Sequence, residues 1–321
     1  EVWRQIESFA GYSFSKGHSA SYAAESYQSL YLKAHYPLEF IVGVINNFGG
    51  FYKTEYYLHE ARMSGATLHA PCVNHSLALT RIEGKNIFLG MGLVAQLEQK
   101  TIEVVITERC RNGTFTDLQD FCVRTGVSPT QLRILIRAGA LRFTQRTKKQ
   151  LLWDMLSIPG MEFTPTRTAS DSGFTPNLFR TENVAFTLPD LDSGPHDDAM
   201  DEIELFGFPL CSPFSLLADD GGIRTLASEL PAQLGKTIDI LGYYVTTKPT
   251  RTIKGEYMLF GTFLDREGNF FDTTHFPRVA QEFPLRGKAV YHITGKVVQD
   301  FGFYSVDVIR IQKLRYAFQK N

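Results

Sequence analysis

The sequence predicts a multidomain α+β chain, with a helical N-terminal half, an acidic linker and a small β-barrel near the C-terminal end. Three observations carry this reading. Apolar residues recur at three- and four-residue steps through the first 156 positions, as helix faces do. Residues 157–199 are rich in Pro, Thr, Ser, Asp and Gly and show little periodicity. From Lys236 to Leu314 the chain carries five or six β-rich segments, enough for a small barrel. The domain boundaries expected from these shifts are 1–90, 91–156, 157–234 and 235–315.

Composition bounds the function classes. At 321 residues and 43% hydrophobic content the chain can bury a real core and should hold two or three domains. The net charge of −1 gives no overall field that advertises a nucleic-acid partner. Cys72, Cys110, Cys122 and Cys211 are scattered without paired spacing, which reads as reduced thiols in a cytoplasmic protein. No apolar run approaches membrane-spanning length, so no membrane partner is expected. The chain opens with Glu1-Val2-Trp3 rather than Met, inside helical sequence, and reads as a fragment.

The first forty residues organise the rest. Phe9-Ala10-Gly11-Tyr12-Ser13-Phe14-Ser15-Lys16-Gly17-His18 is a Gly-punctuated loop, and a small-residue helix is expected directly after it. Its face would be Ala20, Ala23, Ala24, Tyr27, Leu30, Tyr31 and Ala34, and Pro37 would stop it. A helix opening right after Lys16 and His18 aims free N–H groups and a positive dipole end at that loop, which suits an anion such as phosphate. Solvated basic residues beside core aromatics are the plainer alternative.

A second helix follows through Phe40, Ile41, Val44, Ile45 and Phe48, with Gly49-Gly50 as its C-cap. A third is expected over Thr54 to Met63. His69-x2-Cys72-x2-His75 has the look of metal ligands, but no fourth ligand stands near and Pro71 stiffens the run, so no metal is assigned. Arg81 to Gly90 reads as a small hairpin. Helices are then expected over Leu93 to Arg109, after a Thr116 cap, and from Ser128-Pro129 to Gly139.

Phe9-Ala-x-Tyr12-x-Phe14-x-Lys16-x-His18-Ser-Ala-x-Tyr22-Ala, with Tyr27-Gln28 and Leu32-Lys33-Ala34-x-Tyr36-Pro37-x-Glu39-Phe40, resembles the fingers of the bacterial C-family replicative polymerases. That family comprises the alpha subunit of DNA polymerase III and its error-prone paralogues. Ser15 and Gly17 depart from it, where Asn and Ser are more common. The resemblance implies that residues 1–90 are the end of the fingers, with Tyr12 and His18 near the sugar and base of an incoming deoxynucleotide and Lys16 near its phosphate. It makes residues 91–156 a helix-hairpin-helix region, in which Leu135-Ile136-Arg137-Ala138-Gly139-Ala140-Leu141 is the most family-like piece. A hairpin that grips DNA needs a Gly-x-Gly turn so that backbone N–H groups can approach phosphate. Here Gln96-Leu97-Glu98 stands in its place, and Glu98 would repel phosphate. Arg142, Arg146, Lys148 and Lys149 could supply the DNA-binding charge instead, or simply form a wet face.

Pro189-Asp190-Leu191-Asp192 imitates a polymerase metal motif, but Pro, Ser and Gly flank it in a linker, so no catalytic residue is assigned. From Val184 to Leu234 ten acidic residues face one basic, Arg224, and that stretch should lie away from DNA. From Lys236 to Arg315 there are twelve Lys and Arg against eight Asp and Glu. The order of β segments resembles the OB-fold of the same polymerases. Lys248, Arg251 and Lys254, read as one loop between the first two segments, are expected to track single-stranded DNA. Phe260 and Phe263 are expected in the core, and Phe301 and Tyr304 could lie in or out.

The expected role is the DNA- and nucleotide-contacting C-terminal part of a DNA polymerase, without the palm carboxylates. Magnesium is expected only in the whole enzyme. The expected partners are primer-template and single-stranded DNA, the incoming dNTP, the palm-bearing remainder of the polymerase and a sliding clamp, although Gln312-Lys313-Leu314 is too short to identify a clamp motif. A stand-alone single-strand-binding module and a protein-docking platform are the rival classes.

Overall fold

A computed structural model describes residues 2–4, 16–47, 50–158, 194 and 196–318. The chain divides into two compact units, Glu1–Ser193 and Gly194–Asn321. Tyr12 with its loop, Gly49 of the expected C-cap, most of the 157–199 stretch and the Asp190–Asp192 pair lie outside the described residues.

After a helical stretch at residues 2–4, the first unit carries helix α1, Lys16–His35, and α2, Pro37–Asn46. Pro37 sits at the start of α2, where its missing N–H costs nothing. Leu38, Ile41, Val42 and Ile45 of α2 are buried, while Phe40 and Val44 line a groove of about 490 Å³ with Leu32 and Tyr36. Helix α3, Thr54–Met63, falls where the sequence places it, and Lys33 of α1 pairs with Glu60 of α3 at 2.7 Å. The expected buried face of α1 is not buried: Tyr27, Leu30 and Tyr31 are 71%, 66% and 48% exposed. Periodicity correctly marks a helix there, but no described residue covers the stripe.

Strands β1 (Thr67–His69), β2 (Arg81–Glu83) and β3 (Asn86–Phe88) form a small sheet in the order β1-β3-β2. The predicted hairpin is the antiparallel β2–β3 pair. Gly90 follows, where a Cβ would come within 2.5 Å of the Ala78 carbonyl oxygen. Helices α4 (Gln99–Asn112), α5 (Leu118–Thr125), α6 (Pro129–Arg137) and α7 (Lys148–Leu156) follow. Their core gathers Ile102, Val105, Phe121, Leu132, Leu135 and Ile136, all at most 1% exposed. The cap of α5 is Asp117 rather than Thr116, since its carboxylate accepts from the Asp120 N–H at 2.8 Å. Helix α4 starts six residues later than expected, because Gln96 adopts a left-handed φ of 65° ahead of it.

In the second unit, helix α8 (Asp197–Phe206) is followed by a barrel of β4 (Thr237–Arg251), β5 (Tyr257–Leu264), β6 (Phe270–His275), β7 (Val290–Asp300) and β8 (Phe303–Lys313). The barrel is closed in the order β4-β5-β6-β8-β7, with a parallel β6–β8 contact and helix α9, Pro277–Glu282, between β6 and β7. That order and closure make it an OB-fold. Strand β4 serves twice, pairing with β7 over Thr237 to Tyr243 and with β5 over Tyr243 to Arg251, with a register shift between Tyr244 and Thr246. Phe263, Ile240, Ile293, Val297 and Val306 fill the interior at 0% exposure. Asp265, 1% exposed, accepts from the N–H groups of Glu267, Asn269 and Ala227 at 2.8–2.9 Å, so the β5–β6 turn and the turn at Ala227 share one anchor.

Candidate nucleic-acid interface

Lys16 and His18, two of the three residues expected at the nucleotide, lie at the start of α1. The helix opens at Lys16 rather than after His18, which puts both residues inside the first turn. His18 is exposed and its ring stands edge-on to Tyr22, with centroids 4.6 Å apart.

The hairpin ahead of α4 explains how a turn without Gly-x-Gly is held. Gln96 occupies the left-handed conformation that glycine would take freely. Gln131 of α6, 4% exposed, reaches into the turn: its Oε1 accepts from the Glu98 N–H at 2.8 Å and its Nε2 donates to the Gln96 carbonyl at 3.2 Å. An N–H that could approach a phosphate is thus satisfied from inside the protein.

Of the cations downstream, Arg146 pairs with Asp154 at 3.0 Å and loses much of its field. Arg142 is exposed, with its guanidinium close over Gly139. Lys148 and Lys149 are half-buried in the first turn of α7, which Thr147 and Gln150 cap reciprocally.

His69 and His75 both stack on Phe88, at centroid distances of 4.7 and 5.9 Å, with the Arg81 guanidinium 5.2 Å from the same ring. Among the described residues no three His, Cys, Asp or Glu side chains are placed to hold a metal ion.

The barrel presents the more coherent surface. Strand β4 runs to Arg251, so Lys248 lies on the strand opposite Phe260 rather than in a loop, Arg251 lies at its end, and Lys254 sits in the turn. All three are exposed, and Arg251 Nη1 donates to the Gly255 carbonyl at 3.2 Å. Phe263 is core as expected, but Phe260 is 46% exposed. Alternation decides this: residues three apart on a strand point to opposite faces, so Phe260 and Phe263 cannot both face inward. Across β5 and β6 the outer face reads Phe260 beside Thr274 and Thr262 beside Asp272, with Phe270 two residues before Asp272. Phe270 is 55% exposed, and Phe303, at the start of neighbouring β8, is 79% exposed. The sequence reading missed Phe270 and Phe303, although the same alternation against buried Phe271 would have found the first.

Elsewhere on this unit a cavity of about 480 Å³ is lined by Asp219, Asp220, Asp239, His292 and Arg315 among others. Asp220 is held down to about 2 by the Gly222 N–H and by Arg266 and Arg224. Asp239 is lowered by the Thr294 hydroxyl and by His292, 2.6 Å away. Asp220 and Asp239, both kept ionised, disfavour phosphate there.

A chain that joins a helix-hairpin-helix region to an OB-fold falls in a class of modular, nucleic-acid-type architectures. A family profile described as "Helix-hairpin-helix motif" matches residues 65–151. The error-prone DNA polymerase of Mycobacterium bovis is 34% identical over 155 residues, covering 47% of this chain and 14% of that protein. DNA polymerase III subunit alpha of Aquifex aeolicus is 27% identical over 293 residues, covering 88% of this chain and 23% of the relative, and its counterpart in Vibrio cholerae is 36% identical over 146 residues, 44% of this chain and 13% of the relative. The chain is thus similar to bacterial error-prone DNA polymerases and DNA polymerase III alpha subunits, and it spans under a quarter of the length of those it matches. The second OB-fold domain of replication protein A from Methanococcus maripaludis overlaps 28% of this chain and 89% of its own length, at 13% identity and a TM-score of 0.18. The OB assignment here stands on strand order.

Proposed function

We propose that this chain is the DNA- and nucleotide-contacting C-terminal part of a DNA polymerase III alpha-type enzyme, working in replication or in error-prone repair synthesis. The observation that carries this reading is the outer face of β5 and β6, where exposed Phe260 lies directly across from exposed Lys248 of β4 and exposed Phe270 stands further along the same face. Rings give each base a π-face on which to stack, and cations follow the backbone, so single-stranded DNA of any sequence suits the surface. Tyr12, Lys16 and His18 are assigned to the incoming nucleotide, on the family resemblance and the opening of α1. Arg142, Arg146, Lys148 and Lys149 are a secondary duplex contact, weakened at Arg146 by Asp154. No step of nucleotidyl transfer is routed through this chain. Its described carboxylates form no ion-holding group, and magnesium belongs with carboxylates supplied by the rest of the enzyme.

The test is the salt dependence of oligonucleotide binding. Each phosphate neutralised on a single strand contributes a slope of roughly −0.7 in log affinity against log salt. Changing Lys248, Arg251 and Lys254 together to Ala should flatten the slope by about two and weaken all sequences alike. An unchanged slope removes the hairpin from the interface and favours protein docking for the barrel.

A further inference from the structure

The β7–β8 hairpin breaks a local rule in a way that nothing inside the barrel repays. Asp300 pairs with Phe303, so the turn is the two residues Phe301-Gly302, with φ of 48° and 86°. Two-residue hairpin turns with both φ values positive are the natural place for Asn-Gly, because Asn tolerates the left-handed region and a bulky ring does not. Gly302 conforms and Phe301 does not. The other described non-glycine residues with positive φ are Gln96 and Gln145, so this is the one aromatic ring in that conformation among the described residues.

The ring gains nothing from the barrel in return. Phe301 is 95% exposed, so it buries almost none of its surface. Strain held at an exposed residue marks a site where something outside the fold completes the arrangement. The neighbourhood indicates what that is. Phe303 follows on β8, and β8 runs parallel to β6 with Ser305 opposite Asp272, which places Phe303 and Phe270 at corresponding positions two residues earlier on each strand. Three exposed rings therefore gather at this end of the barrel face. The charge beside the tip is Asp300, which suits an uncharged base face better than a phosphate.

We propose that Phe301 is a rigid stacking tip that takes an unpaired base at the end of the single strand lying on the barrel face. This rests on the single-strand reading above and adds selectivity to it. A base is available to the ring only where it is not already paired and stacked in a duplex, so the tip discriminates single from double strands. The two-residue turn fixes the backbone that carries the ring, so no loop has to be ordered when the base arrives.

The experiment compares wild type with Phe301→Asn and Phe301→Trp in the full chain. The probes are a single-stranded dT oligonucleotide, the same oligonucleotide carrying abasic positions, and a duplex of equal length. Phe301→Asn should raise the thermal midpoint of the barrel by a few degrees, since Asn fits the turn. It should weaken dT binding about fivefold or more, as stacking on one base is worth roughly 1–3 kcal/mol. The salt slope should be unchanged, because no cation is removed. Phe301→Trp should retain affinity, and the wild-type advantage should vanish on the abasic strand and on the duplex. Undiminished dT binding by Phe301→Asn overturns the stacking tip while leaving the single-strand reading intact. A lowered midpoint in Phe301→Asn overturns the strain argument. A wild-type chain that binds no single strand overturns both readings together.

Discussion

His275 ends β6 with its side chain wholly inside the barrel. The Thr273 hydroxyl donates to the Gly261 carbonyl at 3.1 Å and so must accept from His275 Nε2–H, 3.0 Å away. Nδ1 is buried with no hydrogen-bond partner. Burial alone pushes this imidazole down to about 4. The unfolded chain takes up its proton near 6.5, whereas the folded barrel resists until about 4, so between those values the unfolded state binds more protons. Stability is therefore full above about pH 6.5 and falls as the pH drops toward 4, by an amount on the order of 3 kcal/mol. Thermal unfolding of the barrel at pH 7 and pH 4.5 should show this loss, and His275→Gln should flatten it; an equally steep dependence in the variant would place the titration elsewhere. Little of this could be read from the sequence, where Phe270-Phe271-Asp272-Thr273-Thr274-His275 marks a β segment but not which residues face in. The same ambiguity put Phe260 in the core. Residue type favours burial of a phenylalanine, and only strand register, which pairs Phe260 with exposed Lys248, reveals its face.

At the scale of elements, the turn before α4 shows a local signal correctly flagged and incompletely interpreted. Gln96-Leu97-Glu98 stands out because glycine is missing. The sequence cannot show that Gln131, more than thirty residues on, supplies what holds the turn. Gln131→Leu would keep the volume but strand the Glu98 N–H and the Gln96 carbonyl, at about 1–3 kcal/mol for a buried unsatisfied group. Hydrogen exchange at the Glu98 amide should then speed up about tenfold or more, with α5 still protected. Protection at Glu98 equal to wild type would mean that the side-chain latch is dispensable. Helices with long periodic faces and clear punctuation, such as α3 and α6, were legible. Caps were less so: Thr116 and Asp117 are both acceptable cap residues, and only the Asp120 N–H bonded to Asp117 distinguishes them.

For the whole molecule, the OB barrel was legible because its segments alternate and turn at regular intervals, and the helix-hairpin-helix region because its short paired helices end in the Leu135–Leu141 piece that resembles the family. The surfaces were less legible, since a stripe of apolar residues does not say what covers it. Tyr27, Leu30 and Tyr31 on α1 form a genuine helical stripe that no described residue buries. The chain by itself is expected to add no nucleotide to a primed template with magnesium, because Asp190 and Asp192, its imitation of a metal motif, are flanked by Pro, Ser and Gly. Primer extension that vanished in Asp192→Ala would reverse that assignment.

The double service of β4 has a consequence for how the barrel is made. Its first half finds a partner only in β7, so Thr237 must wait for Lys296, about sixty residues later in synthesis. Its second half meets β5 at once through the Arg251–Tyr257 pair. For several seconds on a ribosome, the nascent hairpin would carry an open flank able to zip onto another copy of itself. Asp239 is the exposed charge in that waiting half, and two copies aligned edge to edge would set their carboxylates against each other until β7 arrives.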